Sequence, residues 1–222
     1  MKLALFDLDH TLLPIDSDYA WGQFTITLGW RDAQQHTQAN DAFYAQYVAG
    51  TLDIAAYTRF GTTVLRERGM PAAHAAHERF MHEVIRPAMR PAATDLVAHY
   101  RQAGYATLMV TATNAFITRP IAQAFGVDDL IAIDLVLDDS GTPTGEIQGT
   151  PSFREGKVAR VEQWLSERSC SWADVTHSVF YSDSMNDLPL LERVHEPVAT
   201  NPDARLRDIA TQRGWRILNL FE

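Results

Sequence analysis

Two short acidic motifs carry most of the chemistry this sequence can support. Asp7-Leu8-Asp9-His10-Thr11 directly follows the apolar run Lys2–Phe6. A carboxylate at the C-terminal end of a parallel strand stands where open α/β sheets place their ligands. Two carboxylates two residues apart cannot both enter an apolar core without a severe desolvation cost. A bound cation relieves that repulsion, and hard oxygen ligands suit Mg2+; a solvated turn with an Asp-Thr cap is the plainer alternative for this motif alone. The second motif, Tyr181-Ser182-Asp183-Ser184-Met185-Asn186-Asp187, also follows an apolar strand. By itself it reads most simply as a helix N-terminus whose acidic residues suit the dipole. Its place after a second strand lets Asp183 converge with Asp7.

Thr111 and Lys157 could handle an anion. Thr111 follows the strand Tyr105–Val110 (YATLMV), and its hydroxyl with the amides of Ala112 and Thr113 can hold an anion at a helix N-terminus. Ordinary N-capping is the simpler reading of that threonine in isolation. Lys157 lies near the start of a helix predicted over Glu155–Arg168, where a cation is mildly unfavourable for the dipole. It is a solvated lysine unless an anion sits nearby.

These residues need a scaffold, and the hydrophobic pattern supplies one. Lys2–Phe6, Tyr105–Val110, Ile131–Leu137, His177–Tyr181 and Val194–Thr200 are short apolar runs of the kind buried parallel strands show. Between them lie helix-length segments at Thr94–Gln102, Ala115–Phe125, Glu155–Arg168 and Pro202–Arg213, the first two stopping at Gly104 and Gly126. Alternating strands and helices predict an α/β domain with a parallel sheet and right-handed crossovers. Asp138–Gly145 reads as a hairpin turn or surface loop.

The stretch from Ile15 to Arg86 differs: it holds no convincing strand, many aromatics and helical apolar spacing. Gly29, Gly50, Gly61 and Gly69-Met70-Pro71 punctuate it into about four helices. It is far too long for a connection, so a helical unit over residues 15–86 is expected, with residues 1–14 and 87–222 forming the α/β core. Its aromatics are read chiefly as the core of that unit, Tyr19 and Trp21 being the candidates for cation–π contact. His36, His74, His77 and His82 lack partners at metal-ligand spacing, which predicts solvated or edge positions.

With 222 residues, 46% hydrophobic and 21% charged, the chain has the balance of a globular protein with a substantial core. Nineteen Lys+Arg against 28 Asp+Glu leave a net charge of −9, which argues against a broad nucleic-acid surface. A single cysteine, Cys170, excludes an intrachain disulfide. Asp7 and Asp9 interrupt the N-terminal apolar run before a signal sequence develops, and no uninterrupted apolar run suits a membrane span. A cytoplasmic protein with no membrane or nucleic-acid partner is expected, its oligomeric state left open.

In this order and strand context, Asp7-x-Asp9-x-Thr11, Thr111, Lys157 and Ser182-Asp183-Ser184-x-x-Asp187 resemble the four motifs of the haloacid dehalogenase (HAD) superfamily. The helical insertion after the first motif resembles the C1 cap of that family. Over nearly its whole length the chain is most similar to the phosphoserine-phosphatase-like branch, subfamily IB. The resemblance implies a Rossmannoid parallel-sheet core with an inserted all-helical C1 cap, and a Mg2+-dependent phosphomonoesterase working through an aspartyl-phosphate. It makes Asp7 the nucleophile and Asp9 the acid and base that also lends a backbone carbonyl to the metal. It makes Asp183 a metal ligand with Asp7, and gives Asp187 the task of orienting a metal-bound water or Lys157. Thr111 and Lys157 hold the transferring phosphoryl, with Asn114 an additional phosphate or substrate contact.

Two departures from the branch bear on the substrate. Motif two reads Thr111-Ala112-Thr113 where phosphoserine phosphatases carry Ser-Gly-Gly. Those enzymes also use an acidic residue after motif one for the substrate amine and a cap arginine for its carboxylate. Asp16 or Asp18 fits the first task, and Arg59 is the nearest candidate for the second. The expected substrate is a small amine-bearing phosphomonoester such as histidinol phosphate or phosphoserine, with the missing arginine favouring one that lacks a carboxylate. The alternatives are phosphoryl transfer to another acceptor and a non-catalytic phosphometabolite-binding module. A 2-haloacid dehalogenase is disfavoured, since those enzymes lack the carboxylate Asp9 supplies.

Overall fold

The computed structural model describes residues 1–221. Its centre is a six-stranded parallel sheet in the order β3-β2-β1-β6-β7-β8. The strands are β1 (Lys2–Phe6), β2 (Ala106–Asn114), β3 (Asp129–Ile133), β6 (His177–Ser182), β7 (Glu196–Thr200) and β8 (Arg216–Leu218). Alternate residues of β1 feed two cores, Ala4 and Phe6 on one face and Leu3 and Leu5 on the other. This two-sided burial is why the strand reads as a continuous apolar run rather than an alternating one.

A second, two-stranded antiparallel ribbon pairs β4 (Leu135–Leu137) with β5 (Pro143–Ile147). The single strand expected over Ile131–Leu137 is therefore two. The main sheet ends at Ile133, and after Asp134 the chain turns into a hairpin whose tip is the predicted turn Asp138–Gly145. The hairpin rests on the helix Ile54–Arg68, and Val136 and Leu137 are exposed. β8 went unanticipated: three residues at a sheet edge are too few to show a period.

Between β1 and β2 the chain is helical: α1 (Ser17–Thr27), α2 (Ala33–Ala49), α3 (Ile54–Arg68), α4 (Met70–Phe80), a π-helical turn (Met81–Ile85) and α5 (Arg86–Ala88). Asp16, Asp32 and Asp53 cap the first three through side-chain bonds to backbone N–H groups. Gly50 at φ 72° closes α2, whereas Gly61 lies inside α3 and breaks nothing. It faces Asp18, whose carboxylate oxygens would be 3.8 Å from a Cβ there, an ordinary contact distance. Trp21 and Phe80 share one buried cluster with Phe6 and Ile117, so α1 and α4 are bonded to the sheet layer by a common apolar core.

The remaining helices are α6 (Pro91–Gln102), α7 (Ala115–Phe125), α8 (Glu155–Ser166), α9 (Leu188–Leu191) and α10 (Ala204–Arg213). His36 and His77 are corrections to the sequence reading, both being buried. His77 meets the Ile117 carbonyl at 3.0 Å among Trp21, Phe80 and Phe116, and His36 stacks on Phe60. A polar ring reads as edge material in a sequence, but an apolar face and one hydrogen bond satisfy it inside. Among the described residues no helix is long and apolar enough to cross a membrane.

Candidate active site

The sheet brings the chemical residues together at the C-terminal ends of three adjacent strands. Phe6 pairs with Tyr181 and with Met109, and the Asp7 N–H donates to the Tyr181 carbonyl at 2.9 Å. Asp7 and Asp183 therefore follow directly on neighbouring strands at one end of the sheet, with Thr111 beside them in β2. Beyond Asp9 the chain turns back through His10 at φ 57°, with the N–H groups of Thr11, Leu12 and Leu13 all reaching the Leu8 carbonyl. That turn returns Thr11 to the site. Its hydroxyl lies 3.1 Å from Asp183 Oδ1 and 3.4 Å from Asp7 Oδ2, and it accepts the Asp183 N–H at 3.0 Å.

Lys157 enters from the first turn of α8 and is 2% exposed. Its Nζ donates to Asp7 Oδ1 at 2.8 Å and Asp187 Oδ2 at 2.7 Å, and the latter oxygen also accepts the Ser182 hydroxyl at 2.7 Å. The cation that looked misplaced for the helix dipole is held by two buried carboxylates. Asp187 ends a 3-10 turn, Met185–Asp187, that leads into α9.

Asp9 is fixed at both oxygens: Oδ1 accepts the Ser17 N–H at 2.6 Å and Oδ2 the Thr113 hydroxyl at 2.9 Å. Thr111 is buried, and its hydroxyl accepts the Thr113 N–H at 3.1 Å. It does not cap a helix. β2 continues past Val110 through a shift of register, and Asn114 is the residue that caps α7, its Oδ1 accepting the Ile117 N–H at 3.3 Å. Thr111–Asn114 is thus strand backbone, and the Asn114 side-chain oxygen serves its own helix.

Burial dominates the electrostatics. It raises the Asp7 carboxyl, Lys157 pulls it back, and Asp9 raises it further. Asp183 is raised well above the ordinary carboxylate range by burial and then by Asp7 and Asp187. Asp187 is pushed up to about 6 by burial, against the opposing pull of Lys157. Burial draws the Lys157 ammonium down, but Asp187 and Asp7 more than reverse it, and the lysine stays charged. Burial, then Asp16, pushes Asp9 up to about 6.

A second acidic group flanks Asp9. Burial and the neighbouring Asp18 raise Asp16, whose Oδ1 also accepts the Tyr19 N–H at 2.9 Å. Burial pushes Asp18 up to about 6, with the Tyr57 hydroxyl and Arg31 opposing and Asp9 reinforcing. Asp18, Arg31, Tyr57, Phe60 and Gly61 line a small cavity in the helical insertion. The Arg31 guanidinium is held there by the Gly61 carbonyl at 2.6 Å and His36 Nδ1 at 3.1 Å. Arg59 points elsewhere: it is half exposed and pairs with Glu146 of β5 at 3.5 Å. Trp21 is a core residue and Tyr19 is exposed.

Among the described residues no three His, Cys, Asp or Glu side chains gather as a metal cluster. Asp7 and Asp183 do converge on one hydroxyl, and together they are disfavoured as anions. Two such carboxylates fit a hard divalent cation whose remaining positions are filled by backbone carbonyl, water or substrate oxygens.

Sequence reasoning singled out the charged residues gathered here and the Thr111 hydroxyl, and gave no task to the other hydroxyls around them. The hydroxyls of Thr11, Thr113 and Ser182 each donate to a carboxylate, yet such residues after strands look like ordinary turn and cap residues. Tyr47 and Tyr57 reach the site from helices, and nothing separates them in sequence from the aromatics that fill the insertion.

Comparison with known proteins agrees with this geometry. The family model for haloacid dehalogenase-like hydrolases matches residues 4–192. A histidinol-phosphatase from Neisseria meningitidis serogroup C (strain 8013) is 43% identical over 218 residues, 98% of each chain. A phosphoserine phosphatase from Mycobacterium tuberculosis (strain ATCC 25618 / H37Rv) is 28% identical, covering 96% of this chain and 69% of its own. The crystal structure of a protein of unknown function from Bordetella pertussis Tohama I superposes with a TM-score of 0.93 at 48% identity over 99% of both chains. A substrate-bound phosphoserine phosphatase has the same fold, with a TM-score of 0.66 at 17% identity over 98% of this chain and 92% of its own.

Proposed function

The chain belongs to the haloacid dehalogenase-like hydrolases and is a phosphatase of that family, and on that footing we propose that it hydrolyses a small, cationic, amine-bearing phosphomonoester, with histidinol phosphate the first candidate. The observation that carries the reading is that the N–H of Ser17, the residue between Asp16 and Asp18, bonds Asp9 Oδ1 at 2.6 Å, which sets an acidic flank beside the group that would protonate the leaving oxygen. The likeness to a histidinol-phosphatase over 98% of both chains supports the same choice. Phosphoserine is less well served, because Arg31 is occupied by backbone carbonyls and His36 and Arg59 by Glu146.

In this mechanism Asp7 attacks phosphorus, forming an acyl phosphate as the ester P–O bond breaks. Asp9, held at about 6 and fixed by Ser17 and Thr113, gives its proton to the departing alkoxide. Water then attacks phosphorus, Asp9 takes the proton, and inorganic phosphate leaves with Asp7 restored. Lys157 and Thr111 hold phosphoryl oxygens in line, and Asp187 keeps Lys157 aimed. Phosphatases of this family generally use Mg2+; bound by Asp7, Asp183 and the Asp9 carbonyl, it would neutralise phosphoryl charge.

The test is phosphate release from histidinol phosphate, phosphoethanolamine, phosphoserine, sugar phosphates and nucleotides, with Mg2+ and with EDTA. Metal-dependent release, preference for the amines without a carboxylate, and no turnover in a folded Asp7→Asn variant are expected. Indifference to the amine would remove Asp16 and Asp18 from recognition, and full activity in Asp7→Asn would remove the nucleophile. Product accumulating as a phosphorylated acceptor rather than phosphate would point to transfer.

A further inference from the structure

A run of hydrogen bonds connects the helical insertion to the nucleophile. The Tyr47 hydroxyl on α2 lies 2.8 Å from the Ser184 hydroxyl, in the loop after β6. The Ser184 N–H donates to the Ser182 hydroxyl at 3.2 Å, and that hydroxyl donates to Asp187 Oδ2 at 2.7 Å. Asp187 Oδ2 accepts from Lys157 Nζ, which donates in turn to Asp7 Oδ1. Ser182, Ser184, Asp187 and Lys157 are all buried.

The surroundings hold Tyr47 over this loop. Phe153 packs against its ring with centroids 6.4 Å apart, and Arg154 covers Phe153. Arg154 itself sits at φ 54°, donates through Nε to Asn186 Oδ1 at 3.3 Å, and lies against Gly50, where a Cβ would stand 2.6 Å from its Nη2. A non-glycine residue with positive φ at such a junction is held there by its contacts. The Asn186 N–H meanwhile donates to the Ser184 hydroxyl at 3.2 Å. A backbone contact of α2 with the α/β core lies elsewhere: the Val48 carbonyl accepts from Arg205 at 3.0 Å, outside the run.

We propose that Tyr47 is a positioning residue for the phosphatase reaction, fixing the Ser182–Asp187 loop when α2 lies against it and thereby holding Lys157 and Asp7 in register. The inference rests on the phosphatase reading above and goes beyond it, since it gives the insertion a part in aligning the catalytic side chains as well as in choosing the substrate. Tyr47 touches no reacting atom. It acts through Ser184, and its loss slows the chemical step while leaving substrate recognition at Asp16 and Asp18 in place.

The test combines steady-state kinetics with hydrogen exchange on Tyr47→Phe, Ser184→Ala, the double variant and Arg205→Ala. Tyr47→Phe should lower kcat by about three- to ten-fold, the worth of one ordinary hydrogen bond, with KM within about two-fold. Ser184→Ala removes that bond and the one from the Asn186 N–H, so it should lower kcat at least as much, and the double variant no more than Ser184→Ala alone, because the Tyr47 link is already cut. Arg205→Ala should leave kcat within about two-fold, the change that ordinary surface substitutions produce. Backbone amides of residues 183–187 should exchange faster in Tyr47→Phe than in the wild type. Unchanged kcat, additive losses or an equal loss in Arg205→Ala would overturn the proposal. If the wild type turns over none of the phosphomonoesters, the phosphatase reading falls, and unchanged exchange at 183–187 would separately overturn the role of Tyr47.

Discussion

Lys157 is the side chain on which the charge balance of the site turns. It is one cation between two buried carboxylates, Asp7 and Asp187, each within 2.8 Å. Burying three charges is costly, and the mutual attraction offsets that cost only while all three are present. Lys157→Met keeps most of the volume and leaves two carboxylates facing each other, so it should destabilise the protein by about 3–5 kcal/mol, equivalent to roughly 6–20 °C in Tm for a chain of this size. Thermal melts of the two proteins at neutral pH decide the matter; a loss within about 2 °C would mean that water already reaches the pair. Asp7 and Lys157 stand out in the sequence because one lies at a strand end and the other at the wrong end of a helix, whereas Asp187, which suits a helix N-terminus, stands out only through the resemblance to the family's fourth motif. Thr11, Thr113 and Ser182 do not stand out, because a hydroxyl at such a place already has a turn or cap to explain it.

The elements divide by how their neighbours constrain them. β1, β6 and α7 follow directly from apolar runs and glycine stops, and their observed bounds match or nearly match those expected. Thr111 was misplaced because the apolar run ends at Val110 while the backbone stays extended to Asn114, a continuation set by pairing with β3. The helical character of the stretch between β1 and β2 was legible, but its attachment was not: α4 meets α7 through a buried histidine, which no periodicity announces. Burial lowers the His77 imidazole below its usual 6.5, the Ile117 carbonyl opposing and His74 adding to the lowering. Folded protein thus binds fewer protons than unfolded protein in that window. Its contribution to stability is whole above about 6.5 and is lost as pH falls through the lowered value. The carboxyls of Asp9, Asp18 and Asp187, raised to about 6, act in the opposite sense over the same window, so the expected outcome is a difference: between pH 7 and pH 5 the Tm of the wild type should fall relative to that of His77→Phe. Parallel pH profiles for the two proteins would show that His77 is not the group responsible.

At the scale of the molecule, a net charge of −9 makes an anionic substrate an awkward partner, and the fold sharpens the problem by gathering Asp7, Asp9, Asp16, Asp18, Asp183 and Asp187 at one edge of the sheet. Lys157 answers two of them. A divalent cation would answer Asp7 and Asp183, and binding only the folded state it would stabilise the protein by mass action, about 2.7 kcal/mol at a hundred times its dissociation constant. Mg2+ should therefore raise Tm by several degrees, and EDTA should reverse the rise, with no substrate present. Asp183→Asn separates this from a general ionic effect. Removing one of two mutually repelling buried carboxylates should raise the Tm measured in EDTA while abolishing the Mg2+ increment. The same concentration of charge as NaCl should reproduce little of the wild-type rise, because screening acts weakly on buried pairs. If Asp183→Asn kept the full Mg2+ increment, the cation would be binding elsewhere, and the pairing of Asp7 with Asp183 through Thr11 would be a structural contact alone.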